Sequence, residues 1–431
     1  MPAPDLPGSD PIELLLSGRY PDPETGALLE AASRSVVIEA TLDGREVDLV
    51  AALDLGTRFA VISDVNTHAV LGQRVERALR SRFAVQSLVL DHSTRAEPAT
   101  IQRVLGALDP HTDAVIAVGS GTLNDLSKMV ALQRGCPQLV FATAPSMNGY
   151  TSLSASITVG GLKRSIRAAT PVGVFVDLAV VAKAPPRLIH AGLGDSLCRS
   201  TAQADWLLAH LVLDRPYREA PYALLADDER ALIERSQALV AGDLEAMRHL
   251  VRTLVLSGFG MTICGGSYPA SQGEHLISHY LDMMRPAALP VAFHGEQVAV
   301  ATVAMATLQD RILALDALVL RPTTNTRADV EAHFGPVQGA ACWQELAQKL
   351  LDRDATDAVN DRLARTWDNI RDRIAGITLG AQRLTQVLAA VGAPTSPADL
   401  GWPAELFAGA VSHARELRNR YTFLDLAADL G

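Results

Sequence analysis

Apolar and polar positions follow two rhythms along this chain. In the first half, short apolar and often β-branched runs recur: Val47–Leu53, Phe59–Ser63, Ala84–Leu90, Ala114–Val118, Gln138–Ala142 and Val172–Val176. Stretches with helical spacing separate several of them, such as Thr67–Arg82 and Glu97–Leu108. Continuous apolar strands alternating with helices predict a parallel sheet covered on both faces. Between the last two runs, Ser154–Ala168 carries Gly160-Gly161 at its centre, which predicts a hairpin. After Val181 the rhythm changes, and Pro185-Pro186 reads as a boundary and a helix start. From there on, Leu224–Ala241, Leu244–Leu256, Gln297–Leu318 and Trp343–Leu350 place apolar residues three to four apart, as helices do. The expected organisation is an N-terminal extension over 1–34 with a short helix at Ile12 to Gly18, an α/β domain over 35–183 and an all-helical domain over 184–431. No internal repeat interrupts it.

Composition narrows the function classes. The 431 residues are 48% hydrophobic and 20% charged, an ordinary globular mix. Lys plus Arg is 38 and Asp plus Glu is 48, a net charge of −10. That balance argues against nucleic acid or an anionic membrane as the main partner, and leaves room for a local cationic pocket. Cys136, Cys198, Cys264 and Cys342 are widely spaced with no CxxC pair, so they read as thiols in a reducing compartment. The acidic, proline-rich start has no basic region before an apolar core, so no secretory signal is expected. No uncharged apolar run reaches about eighteen residues, the length a membrane span needs. The expectation is a cytoplasmic protein.

Two segments of the first half can hold a nucleotide. The run Ala114–Val118 leads straight into Gly119-Ser120-Gly121-Thr122, with a helix expected from about Leu123. Such a turn lets backbone N–H groups approach a diphosphate. It is neither GxGxxG, since Asn124 stands at the third glycine, nor a P-loop, since no GK[ST] follows. A tight turn with no ligand is the alternative. Asp64, just after Phe59–Ser63, is placed either to bond ribose hydroxyls and disfavour a 2′-phosphate or to cap a helix.

The helical half holds a candidate metal set. Asp195 lies in HAGLGDSLCRSTAQADW, His275 and His279 in SYPASQGEHLISHYLDM, and His294 in VAFHGEQVAVA. His275 and His279 are four apart and share a helix face. Leu276 follows His275, so the glutamate base of HExxH is missing there and a zinc protease is not expected. One carboxylate with two imidazoles suits zinc, nickel or iron, and three protein ligands leave a position open. Ordinary capping or polar roles remain open for each histidine taken singly.

Taken in order, GSGTLNDLSK, ATAPSMNGYTS, GLGDSLCRSTAQADW, SQGEHLISH, HGEQVAVA and the closing RNRYTFLDLAADLG resemble the sn-glycerol-1-phosphate dehydrogenases. That family sits in the superfamily of iron-type alcohol dehydrogenases and dehydroquinate synthase, and the resemblance runs over about residues 35 to 430. It implies an N-terminal parallel-sheet nucleotide-binding domain followed by an all-helical metal-binding domain. It implies reversible reduction of dihydroxyacetone phosphate by NADH or NADPH, with one divalent metal, usually zinc and in some members nickel. A small phosphorylated substrate and a homo-oligomer, dimer or larger, come with it. By motif, the metal ligands become Asp195, His275 and His294, and His279 a substrate-side histidine that supplies the proton. Gly119, Ser120, Gly121, Thr122, Asp125, Lys128, Thr143, Ser146 and Ser152 would hold the nicotinamide cofactor, with Asp64 at its ribose.

Two positions bear on the substrate. Asn148 stands where the family commonly carries a substrate-contacting aspartate, which leaves another phosphorylated or phosphonate carbonyl compound, or a polyol, as the alternative substrate. Arg199 stands where the superfamily's alcohol dehydrogenases have a further metal-binding histidine. Arginine has donors and no acceptor, so it suits an anion rather than a metal. A dehydroquinate-synthase-like lyase is the more distant alternative, since basic substrate-binding motifs of that kind are not evident.

Overall fold

The computed structural model describes residues 10–160 and 162–430. The first nine residues of the extension, Gly161 of the expected hairpin and Gly431 lie outside the described residues. By contacts the chain forms two compact units. One comprises the chain up to Ser196 together with Glu219–Ser267, and the other Leu197–Arg218 with Tyr268–Gly431.

The first unit is built on a six-stranded sheet. Its strands are β1 (Ser35–Glu39), β2 (Arg58–Asp64), β3 (Ala84–Leu90), β4 (Ala114–Gly119), β5 (Gln138–Ala142) and β8 (Gly173–Asp177). A separate antiparallel hairpin pairs β6 (Ser154–Val159) with β7 (Leu162–Arg167), as the glycine pair predicts. The sheet order is β1-β8-β5-β4-β2-β3 and every pairing is parallel. Successive residues of β2 point to opposite faces. Phe59 and Val61 enter one apolar cluster with Leu71, Val75 and Phe141, while Ala60 and Ile62 enter another with Ile101, Leu126 and Val130. Burial on both faces is why these strands read as unbroken apolar runs.

The expected strand at Val47–Leu53 is instead a helix, Glu46–Ala51. Its buried positions are 46, 49, 50 and 53, a helical period that the β-branched content masks. Edge strand β1 took no part in the expected set, because SVVIE is only half-buried and lacks the apolar weight of the inner strands.

Helix α1 (Gly121–Arg134) follows β4, and α2 (Pro186–Leu197) starts on Pro186 as expected. The later segment of this unit contributes α4 (Leu244–Ile263), whose first turn is capped by Asp243. The second unit is helical among its described residues. It holds α3 (Arg199–Leu213), α5 (Gly273–Met284) and α6 (His294–Leu313), and the 23-residue helix Arg353–Ala375. The last buries Val359, Leu363, Trp367, Ile370 and Ile374 in one stripe of its unit's core. Each such fully buried side chain contributes about 1.5–3 kcal/mol. No described helix is long and apolar enough to cross a membrane.

Candidate functional site

In the first unit the strand order turns on β2. The chain runs outward from β2 to β3, then returns to the other side of β2 as β4. Ligands of open parallel sheets bind outside the carboxyl ends of strands at such a reversal. Asp64 ends β2 and Gly119 ends β4, so the two segments proposed for the nucleotide flank this point. Helix α1 begins at Gly121, two residues before the expected start, and Ser120 makes no side-chain cap. Its first N–H groups therefore suit an anion. A methyl group placed on Gly121 would meet only Met147 Cγ at 3.9 Å, so nothing of the protein fills that side. On Gly119 it would lie 2.4 Å from Leu123 Cδ1. Asp64 accepts a hydrogen bond from Thr67 N at 2.8 Å and so caps the next helical turn. That bond realises the capping alternative and uses one carboxylate oxygen.

Asp125 and Lys128 point into the protein. The Lys128 ammonium donates to Gly149 O, Ser152 O, Ser152 Oγ and Ser154 O at 2.7–3.2 Å. Burial pulls Lys128 down to about 8, against the opposing pull of the Asp125 charge. Asp125 accepts from Ser156 N at 2.9 Å, and burial raises its pKa against the pull of Lys128. Ser152 is buried and donates within its own loop, to Gly149 O and Ser154 O. Lys128 and Ser152 tie the loop over 143–154, and Asp125 ties β6 just beyond it. The assignment of all three to the cofactor then rests on motif position alone. Thr143 N donates to Gly119 O at 3.2 Å, which puts Thr143 and Ser146 in the segment directly after β5 and beside the glycine turn.

The same loop is clasped by two helices of its unit. A methyl group on Gly192 of α2 would fall 1.6 Å from Pro145 O, and one on Gly258 of α4 would fall 2.2 Å from Thr151 Oγ1. Only glycine permits such approach. One turn after Gly192, the buried Asp195 accepts from Asn148 N at 2.7 Å, and Asn148 Nδ2 reaches Asp195 O at 3.5 Å. The side-chain donor that asparagine has and aspartate lacks is used in the second contact.

In the second unit, the three histidines converge. Ring centroids are 5.1 Å apart for His275 and His294, and 6.2 Å from His279 to each. His275 is buried, His279 and His294 half-buried. Glu274 Oε1 accepts from His275 Nδ1 at 2.9 Å, which leaves Nε2 as that ring's acceptor nitrogen. The glutamate missing after His275 thus stands before it, as an orienting group rather than a base. Glu274 also accepts from Gln272 N and Thr201 Oγ1. With Cys198 and His275 it forms a second buried group whose ligand atoms lie within 4.8 Å of one another. Asp205 accepts from Gly273 N at 2.9 Å and Phe423 N at 2.9 Å, fixing the start of α5 to the C-terminal segment. Burial, aided by the Glu274 charge, pushes Asp205 up to about 8. Arg199 Nη1 donates to Gln203 Oε1 at 2.6 Å, and Gln203 Nε2 to Tyr217 OH at 2.9 Å, so the guanidinium is held in place.

Sequence reasoning passed over Glu274, Ser278, Gln297 and Asp205. A usable signal exists for three of them. Glu274 adjoins His275, and Ser278 and Gln297 each lie three residues after a proposed ligand, on the same helix face.

Comparison with known proteins identifies the family. Residues 37–185 match the family model described as iron-containing alcohol dehydrogenase. A glycerol-1-phosphate dehydrogenase (NAD(P)+) of Pyrococcus furiosus is 34% identical over 277 residues, 64% of this chain and 78% of that protein. One of Bacillus velezensis is 31% identical over 337 residues, 74% of this chain and 84% of that protein. Among solved structures, an NADH-dependent butanol dehydrogenase A of Thermotoga maritima superposes with a TM-score of 0.60 at 13% identity, over 94% of this chain and 97% of that one. That likeness speaks to the fold, a parallel sheet followed by helices. With such identity spread over most of each curated relative, the chain belongs to the glycerol-1-phosphate dehydrogenase family.

Proposed function

We propose that this chain is an NAD(P)-dependent oxidoreductase that interconverts dihydroxyacetone phosphate and sn-glycerol 1-phosphate with one divalent metal. The observation that carries the reading is the histidine cluster in the second unit, with the His275 acceptor nitrogen set by Glu274. This donor set fits a metal, since neutral imidazoles with one carboxylate, Asp195, suit zinc, nickel or iron. Zinc is the metal we propose. When bound, the metal would polarise the substrate carbonyl and the nicotinamide would carry the hydride.

The chain's own groups do the rest. N–H groups of Gly119 to Thr122 hold the diphosphate at the start of α1. Asp64 lies at the end of β2, where a ribose hydroxyl would be bonded, and favours NAD over NADP. Arg199, braced by Gln203 and Tyr217, binds the substrate phosphate. His279 gives a proton to the nascent alkoxide on reduction and takes it back on oxidation. We place the enzyme in the cytoplasm as a homo-oligomer, which light scattering would check. Asn148 favours a second substrate reading, another phosphorylated or phosphonate carbonyl compound, because it is uncharged where the family commonly carries an aspartate.

A substrate panel tests both readings. NADH and NADPH consumption would be followed with dihydroxyacetone phosphate, dihydroxyacetone and other ketone phosphates. Dihydroxyacetone phosphate should be strongly preferred. Arg199→Met should lower kcat/KM on it by about one to two decades, the worth of a charge-assisted hydrogen bond, and leave dihydroxyacetone nearly unaffected. Equal losses on both would make Arg199 structural. A different ketone phosphate as best substrate would favour the second reading.

A further inference from the structure

Four side chains on α5 and α6 form a hydrogen-bonded file that ends on His294. Ser278 Oγ lies 3.2 Å from His294 Nδ1 and donates to Gln297 Oε1 at 2.9 Å. Gln297 Nε2 donates to Asp282 Oδ1 at 2.9 Å and reaches Ala292 O at 3.4 Å. The members alternate between the helices. His294 and Gln297 are three apart on α6, Ser278 and Asp282 four apart on α5, so each pair shares a face. Ser278 and Gln297 are buried, and Asp282 is exposed.

The far end sets the direction of every proton. An ionised carboxylate only accepts, and so does a backbone carbonyl. Asp282 and Ala292 O together require the NH₂ side of the Gln297 amide. Its oxygen must then face Ser278 and accept the single hydroxyl proton. With that proton spent, Ser278 Oγ can only accept from His294. Nδ1 of His294 is therefore the protonated nitrogen, and Nε2 carries the lone pair. In water a neutral imidazole favours the opposite arrangement. His275 reaches the same state in one step from Glu274. At His294 the partner of Nδ1 is Ser278 Oγ, which joins it to the Asp282 carboxylate through two relays.

We infer that Ser278, Gln297 and Asp282 are positioning residues that lock His294 in the Nδ1–H tautomer and so make its Nε2 a metal ligand. This rests on the metal reading above. Groups of this kind raise ligand basicity and orient the ring, and their loss weakens metal binding by about 10–100-fold.

The test uses the full chain with two readouts. In metal-free protein labelled with ¹⁵N-histidine, long-range ¹H–¹⁵N correlation reads the His294 tautomer. Nδ1–H is expected in the wild type and in Ser278→Thr, and Nε2–H in Ser278→Ala. Zinc affinity, from competition with a chromogenic chelator, should fall about 10–100-fold in Ser278→Ala and stay near wild type in Ser278→Thr. Asp282→Ala, on the solvent side and outside the packed core, should move both readouts in the same direction as Ser278→Ala. An unchanged tautomer or undiminished zinc affinity in Ser278→Ala overturns the inference. So does an equal loss in the alanine and threonine variants without a tautomer change, which would be a packing effect. Full zinc affinity in His294→Ala would sink the metal reading itself, and the tautomer measurement, made without metal, is independent of that outcome.

Discussion

Gly119 and Gly121 stand two positions apart in one turn, yet a side chain would cost different things at each. At Gly119 it would strike Leu123, within the helix that the turn starts. At Gly121 it would enter space that the protein leaves open. Gly121→Val should therefore keep the fold, with Tm close to wild type, and raise the nicotinamide KM strongly. Gly119→Val should lower Tm first, since overpacking of this kind costs about 1–3 kcal/mol. Calorimetry alongside NADH titration separates the two. NADH binding by Gly121→Val as tight as wild type would mean that the turn cradles no diphosphate.

Among the elements, α5 is held from both sides. One face carries the histidine cluster. The other carries Tyr280, whose hydroxyl lies 2.9 Å from His333 Nε2. His333 in turn stacks on His413 with centroids 3.7 Å apart, and His413 Nδ1 faces Glu416 at 3.3 Å. Desolvation lowers the His333 pKa, and its neighbour His413 lowers it further. Desolvation, then Arg415, does the same to His413. Both native values lie below the ordinary 6.5. As pH falls through that value the unfolded chain takes up protons before the native one does. Stability from this pair is thus present above the unfolded pKa and is lost below it. Tm should drop between pH 7 and pH 5, and His413→Gln should flatten that drop. The same slope in the variant would assign the loss to other groups. Because α5 also carries His275, this acid-sensitive contact sits on the same helix as a proposed metal ligand.

For the whole molecule, a metal that binds only the native chain stabilises it by mass action. At a concentration one hundred times Kd the gain is about 2.7 kcal/mol. A strong chelator should lower Tm measurably, and zinc should restore it. His275→Ala should show the lower Tm with no response to chelator, while His279→Ala should respond like wild type yet lose turnover. A wild type indifferent to chelator would count against the metal. At this scale the sequence reveals more of the fold than of the site. Buried parallel strands read clearly because both faces demand apolar residues, and the hairpin reads from its glycine pair. Strand β1 and the helix Glu46–Ala51 are harder, one because it lies at an edge, the other because Val47 and Val50 mimic a strand. The histidines stand out because they are few and two of them, His275 and His279, are one turn apart. Lys128 does not betray its four oxygen partners, nor Ser278 its place between two helices, because partners brought together from separate elements leave no local pattern.

The contact between Gly192 and Pro145 O has a consequence for how α2 can be wound. Both neighbours of Gly192, Ala191 and Leu193, carry a β-carbon that the carbonyl could not accept. Advancing the helix by one residue, a turn of about 100° and a rise of about 1.5 Å, would put one of them there. Neither adjacent rotational phase of the helix is therefore permitted against the loop. In the observed phase, and in no adjacent one, the carboxylate three residues on meets the Asn148 amide. The missing side chain at position 192 is thus a clocking mark, and the bearing of Asp195 is read off from it.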